Sequence, residues 1–183
     1  MSRIKPIYCY LIIIVISYIV FYNSLHNEFV FDDESVIVNN ASIQNTDNIV
    51  KYFSGEEGFH KVIGKYYRPL VSASYAVDFS IWGLDPYGFH LTNLIIHIIA
   101  CLLLFKILSL LFSRYKYRNI FSLFGALIFA VHPIHTEAVS WISGRTDSMV
   151  SMFFFASFLF YIKFTGNPHH EVNENTKSAE HSG

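Results

Sequence analysis

Charge is the first thing this chain is short of. Of its 183 residues 15% are charged, where a soluble domain carries about 25%. Hydrophobic residues make up 52% and aromatics 17%, and the mean hydropathy is +0.36. This composition excludes an ordinary soluble domain. Cysteine is nearly absent: Cys9 and Cys101 both lie inside apolar runs, which excludes a disulfide framework. An excess of basic residues is missing too. A net charge of −1 removes the electrostatic basis for nucleic-acid binding, so no nucleic-acid partner is expected. No internal repeat of the solenoid kind is visible.

What the chain has instead is long apolar runs separated by its few charges, the pattern of a multi-pass membrane protein. Spans are expected at about 7–22, 89–112, 119–133 and 148–164. The first follows Arg3 and Lys5, as a signal peptide would, but no small-residue cleavage site comes after it, which favours a retained span. Arg3 and Lys5, the Arg114–Lys116–Arg118 loop and Lys163 all fall on one side of a four-span arrangement. The positive-inside rule makes that side cytoplasmic. The loop 23–88, with nine acidic and four basic residues, then lies outside. Lys106 near the inner end of the second span can snorkel. The fold class expected is all-α: a membrane domain over 1–164 with four transmembrane helices and a large extracytoplasmic first loop, then a disordered tail over 165–183. The adjacent His169 and His170 in that tail read as solvated residues.

The outside loop carries two helical stretches. Thr46 or Asp47 can cap a short helix ending at Ser54-Gly55. A second begins at Pro69, placed where its missing N–H costs nothing, and runs to Trp82 before the turn Gly83-Leu84-Asp85-Pro86. It is too apolar for free solution and too short to cross, so it should lie on the membrane surface or pack on the bundle.

Three groups of polar residues point to chemistry. Asp32-Asp33-Glu34 follow the first span. Carboxylates at that depth can accept a proton from a hydroxyl or hold a divalent cation, or an aspartate can simply cap the turn into Ser35-Val36. His90, Asn93 and His97 share one face of the second span. Polar groups there face a bundle interior or a cavity, either as contacts between helices or as part of a substrate site. The connector after the third span holds His132, His135 and Glu137, then Gly144-Arg145-Thr146-Asp147. The spacing His-x-x-His-x-Glu is not that of a helical zinc protease, and no fourth ligand is evident; positioning an anionic head group suits it better. Arg145 can clamp a phosphate with two parallel bonds or can snorkel. Ser122, Ala126 and Ala130 form a small-residue face for close helix packing. Asn40-Ala41-Ser42 is an N-glycosylation sequon, with meaning only in a eukaryote.

Three strings taken together, FVFDDESVIVNN, YYRPLVSASYAVDFSIWGLDPYGFHLTNLIIH and ALIFAVHPIHTEAVSWISGRTDSM, resemble the amino-terminal part of the transmembrane and tetratricopeptide-repeat protein family. That family includes protein O-mannosyltransferases and bacterial relatives of GT-C architecture. The resemblance covers Phe29 to about Lys163. It implies transfer of a mannose-like sugar from a polyprenyl-phosphate donor to a hydroxyl on a protein or glycan acceptor. It also implies Asp32 and Asp33 as the catalytic pair, with Arg68, His90, Asn93, His132, His135, Glu137 and Arg145 around the substrate. No cofactor is implied beyond a possible divalent cation, and the metal ligands are unknown. The membrane would be the cell (inner) membrane in a bacterium and the endoplasmic reticulum in a eukaryote. Family members continue into further spans and tetratricopeptide repeats that this sequence does not contain, so the chain by itself is expected to be inactive. The alternative from a different class is a non-catalytic membrane module for partner binding or assembly. A transporter subunit ranks below both, because the spans contain no acidic residue.

Overall fold

The computed structural model describes residues 4–54 and 67–165, and every regular element among them is helical. The tail, with His169 and His170, and the Gly55 stop signal lie outside the described residues. Helix α1 (Pro6–Phe21) opens with proline at its first turn and passes into a 3-10 turn, Tyr22–His26. After a loop with a π-turn at Glu34–Val38 come a 3-10 turn, Thr46–Asn48, and the single-turn α2 (Lys51–Ser54). The capping residue is Asn45, whose side chain accepts from the Asp47 N–H at 2.9 Å. This corrects the expectation of Thr46 or Asp47. Asparagine one position earlier holds the extended backbone that a cap requires.

Helix α3 (Pro69–Trp82) starts at its proline and stops at Gly83, whose φ of +62° is a conformation that glycine adopts without strain. Asp85 then caps α4 (Pro86–Leu111), accepting from the Tyr87 N–H. At 26 residues it is about 39 Å long. Helix α5 (Arg118–Ala130) rises beside it, a break at His132-Pro133 leads to the short α6 (His135–Ser140), and a 3-10 turn, Ile142–Gly144, feeds α7 (Arg145–Thr165). Three helical stretches are long and apolar enough to cross a membrane: Pro6–His26, Pro86–Leu111 and Ile142–Thr165. Helix α5, with 13 residues, covers only about 20 Å. It nevertheless starts beside the end of α4, where the Phe112 and Phe121 rings meet at 6.3 Å. The chain reaches the beginning of α4 again by Ile142, through the hydrogen bonds of Asn93. The stretch expected as a third span, 119–133, holds the single short helix α5, and α6 follows it outside that stretch.

Two kinds of packing hold the bundle. Toward the Leu111 end, Ser122, Ala126 and Ala130 are fully buried and bring α5 close to Cys9 and Ile13 of α1 and to Cys101 and Phe105 of α4. Toward the Pro86 end, the outer loop and α3 fold down as a cap. Ile37, Ile43, Tyr52, Tyr75, Phe89 and Ile142 form its core. Helix α3 thus packs on the bundle. Long exposed apolar faces on α1 and α7, including Ile19, Phe154 and Phe160, suit a lipid environment.

Candidate functional site

Of the residues singled out in the sequence, Asp33, Asn93 and Arg145 are drawn to one place toward the Pro86 end, with 110 positions between Asp33 and its partner Ser143. The turn Val30–Asp33 is closed by the Asp33 N–H donating to the Val30 carbonyl. Phe31 within it has φ +53° and is 88% exposed. A left-handed conformation is unfavourable for an aromatic residue, and three bonds to the Asp33 carboxylate hold it in place. Asp33 is fully buried. Its Oδ2 accepts from the Val30 N–H at 3.1 Å, and its Oδ1 accepts from both the backbone N–H, at 2.9 Å, and the hydroxyl of Ser143. The Trp141 indole N–H donates to the Val30 carbonyl alongside, at 3.4 Å. Asp32, next in the same turn, is exposed, as is Glu34. The pair is thus divided: one carboxylate is saturated and fixes the turn, and its neighbour faces outward.

The turn that Asp33 grips is gripped from below as well. Asn93, fully buried on α4, donates from its amide to the Trp141 and Ile142 carbonyls at 3.0 and 3.3 Å and accepts from Arg145 Nε at 2.7 Å. The Tyr75 hydroxyl donates to the Ile142 carbonyl at 3.0 Å. Burial pushes the Tyr75 pKa up, against the pull of Arg145, so the phenol stays protonated as that donor.

Arg145 is at the centre and is completely buried. It pairs with Asp78 of α3 at 2.6 Å, donates to the Ser74 hydroxyl at 3.0 Å and the Phe89 carbonyl at 2.9 Å, and lies 4.4 Å from the centroid of the Tyr75 ring. Burial raises the pKa of Asp78, while Arg145 and the Thr92 hydroxyl, which donates to Asp78 Oδ1 at 2.7 Å, act in the opposite direction and favour its charged form. The structure thus departs from both sequence readings of Arg145. It neither snorkels nor presents itself to a phosphate, because its donors are spent inside the protein. Asp78 went unnoticed in the sequence. The available signal was a single acid in an otherwise uncharged apolar helix, which calls for a buried counter-charge.

Other expected residues take separate places. Arg68 is half-buried at the start of α3 and donates to the Thr146 hydroxyl of α7 at 3.2 Å, one turn beyond Ser143. It stands at the end of a groove of about 490 Å³ walled by Leu70, Val150, Phe153 and Phe154. His90 is 1% exposed, and neither ring nitrogen makes a hydrogen bond of ordinary geometry. His97 lies deeper, against the Ala130 carbonyl at 3.1 Å and stacked on Phe129.

In the connector His132 is exposed, and its Nδ1 accepts from the Ile134 N–H at 3.2 Å. In the neutral ring the proton is therefore on Nε2, which is left as a donor. His135 is half-buried, its ring 6.2 Å from that of His132 and 5.3 Å from that of His97. Burial first, and His132 second, lower its pKa. Glu137 is exposed. Among the described residues no three His, Cys, Asp or Glu side chains converge as metal ligands would. The sequon asparagine, Asn40, is buried, its amide nitrogen donating to the Val36 carbonyl at 2.8 Å.

Among known proteins the chain is similar to protein O-mannosyl-transferases. It is 33% identical to TMTC4 of Mus musculus over 91% of its own length and 25% of that protein. It is 34% identical to TMTC3 of Homo sapiens over 80% of its length and 16% of that protein. It is also 31% identical to F38B6.6 of Caenorhabditis elegans, over 84% of its length and 23% of that protein. The chain spans a quarter or less of the length of these relatives. No family model and no solved structure gives a match.

Proposed function

Since this chain is a homologue of the TMTC-family protein O-mannosyl-transferases, we propose that it supplies the amino-terminal, donor-side part of a GT-C-type glycosyltransferase in a multi-pass membrane domain. The membrane is the endoplasmic reticulum in a eukaryote or the inner membrane in a bacterium. The donor is a polyprenyl-phosphate-linked sugar, mannose-like, and the acceptor a hydroxyl on a protein or glycan.

The observation that carries this reading is the division of the aspartate pair. A carboxylate serving as general base has to reach the proton that it removes. Asp33 is enclosed by three donors, whereas Asp32 is exposed on a turn that those bonds hold rigid. In the proposed step Asp32 takes the proton of the acceptor hydroxyl and the freed oxygen attacks the anomeric carbon. The bond from that carbon to the phosphate oxygen breaks, and the lipid phosphate leaves with the electron pair. Asp33 is a positioning residue. The groove between α3 and α7 suits an isoprenoid chain, and Arg68 at its end suits the phosphate. The Nε2–H of the exposed His132 is a candidate second donor for the leaving group. His135 stays a candidate for the phosphate side, and Glu137 a candidate for substrate binding.

The test is sugar transfer from a polyprenyl-phosphate donor by this chain and by a full-length relative bearing the same residues. Asp32→Asn in the full-length protein should lower turnover by about 10²–10⁴-fold, and Arg68→Gln should raise the KM for the donor. Unchanged transfer with both Asp32→Asn and Asp33→Asn removes the mechanism. The complete internal use of Asn93 and Arg145 supports a second reading, a module whose polar residues serve assembly alone. Under that reading every one of these variants transfers sugar normally.

A further inference from the structure

At the far end of the bundle, where α4 ends and α5 begins, the chain makes a cationic pocket that the glycosyl-transfer reading does not use. Ser113 to Tyr117 are folded by short backbone bonds: Tyr115 N–H to Phe112 carbonyl at 2.9 Å, and Arg118 N–H to Tyr115 carbonyl at 3.3 Å. The pocket, half open to its surroundings, has a volume of about 470 Å³ and is lined by Arg114, Tyr115, Lys116, Tyr117 and Arg118. Ile4 closes its remaining side, fastened there by the Asn119 amide donating to the Ile4 carbonyl at 2.7 Å.

Arg114, Lys116 and Arg118 are exposed, and among the described residues none of them forms an ion pair with a carboxylate. Lys116 Nζ lies 5.5 Å from the Tyr117 ring centroid, which keeps that cation over the loop. The amino-terminal end of α5, with its partial positive charge, opens on the same space. The rim is two tyrosines and an isoleucine, and α4 below it presents an apolar surface. A ligand that fits has a phosphate for the three cations, hydroxyls or ester oxygens for the tyrosines, and acyl chains that continue down the helices. We propose that this pocket binds the phosphate headgroup of an anionic phospholipid in the leaflet opposite the candidate site, anchoring the loop and the amino-terminal segment to that surface.

Native mass spectrometry of the full chain, offered phosphatidylglycerol and phosphatidylcholine at equal concentration, tests this. One phosphatidylglycerol should be retained per chain with a preference of about tenfold or more. The variant R114Q/K116Q/R118Q should lose that preference while keeping its helical circular dichroism. Neutralising charge beside a span can also disturb insertion, so the unaltered chain gives an independent reading: its preference should decline steeply as salt is raised. Competition by inorganic phosphate separates the two sources of the ligand chemistry, and a lipid site keeps its phospholipid in millimolar phosphate. Equal retention of both lipids by the unaltered chain, an undiminished preference in the folded triple variant, or displacement by inorganic phosphate each overturns the proposal.

Discussion

The two ends of this bundle are held by opposite means. Toward the Leu111 end, α1, α4 and α5 meet through small and apolar side chains, with Ala126, Ala130, Cys9 and Cys101 at no more than 1% exposure. Toward the Pro86 end, buried polar groups tie together segments far apart in sequence: Asp33 to Ser143, Arg145 to Asp78 and Asn93, Tyr75 to Ile142. The first kind of packing tolerates sliding and modest repacking. The second fixes geometry, because each partner left alone in the interior is costly. Rigidity is thus concentrated where a reacting group would need a fixed position, and the exposed Asp32 stands on backbone that the polar contacts hold.

Removing the centre of the polar end should have the largest effect. Arg145→Leu strands Asp78, Asn93 and the Phe89 carbonyl, and should cost about 3–5 kcal/mol, read as a lower melting temperature in detergent. The double variant Arg145→Leu/Asp78→Leu should recover part of that loss, because no buried charge then stands alone. If the single variant melts like the parent, the polar end is no more constrained than the apolar one.

Next in size is Gly144→Ala. A Cβ at Gly144 would run into the Glu137 carbonyl oxygen and press on the Ala138 Cα. Backbone cannot yield as a side-chain tip does, so a cost of about 1–3 kcal/mol is expected. At the apolar end Ala126→Leu should cost a similar amount through overpacking, with no change in sugar transfer by a full-length protein. A transfer defect there as large as that of Asp32→Asn would erase the distinction between the two ends.

Much of this was legible in the sequence, and the limits have physical causes. Proline and glycine marked the ends of α3 because their backbone preferences are local. The membrane character of α1, α4 and α7 followed from length and hydropathy. The break between α5 and α6 was harder to see, since the uncharged stretch 119–136 reads the same whether it forms one helix or two short ones. Asp33, Asn93 and Arg145 stood out as unusual, yet their partners did not. Ser143 is 110 positions from Asp33 and belongs to no periodic pattern. Nothing along the chain reveals that Asp32 and Asp33 face different environments, because adjacent residues in a turn diverge according to tertiary contacts.

The smallest effects are electrostatic. Asp32→Asn should leave the unfolding free energy within about 0.5 kcal/mol of the parent, as for an exposed side chain without fixed partners. His135 has a lowered pKa in the folded chain, so folding favours its neutral form. Its contribution is present above the unfolded value of about 6.5 and is lost as the pH falls from there through the folded value. The melting temperature should therefore decline on acidification below about pH 6.5, and His135→Gln should flatten that decline.

The central claim is that the acidic turn and the Trp141–Arg145 turn are held together through Asp33. A double-mutant cycle on Asp33→Asn and Ser143→Ala, read by thermal unfolding in detergent, tests it most directly. The contact predicts a coupling energy of about 1–3 kcal/mol. Effects that add to within about 0.5 kcal/mol would mean that the two turns do not meet and that the proposed site does not exist.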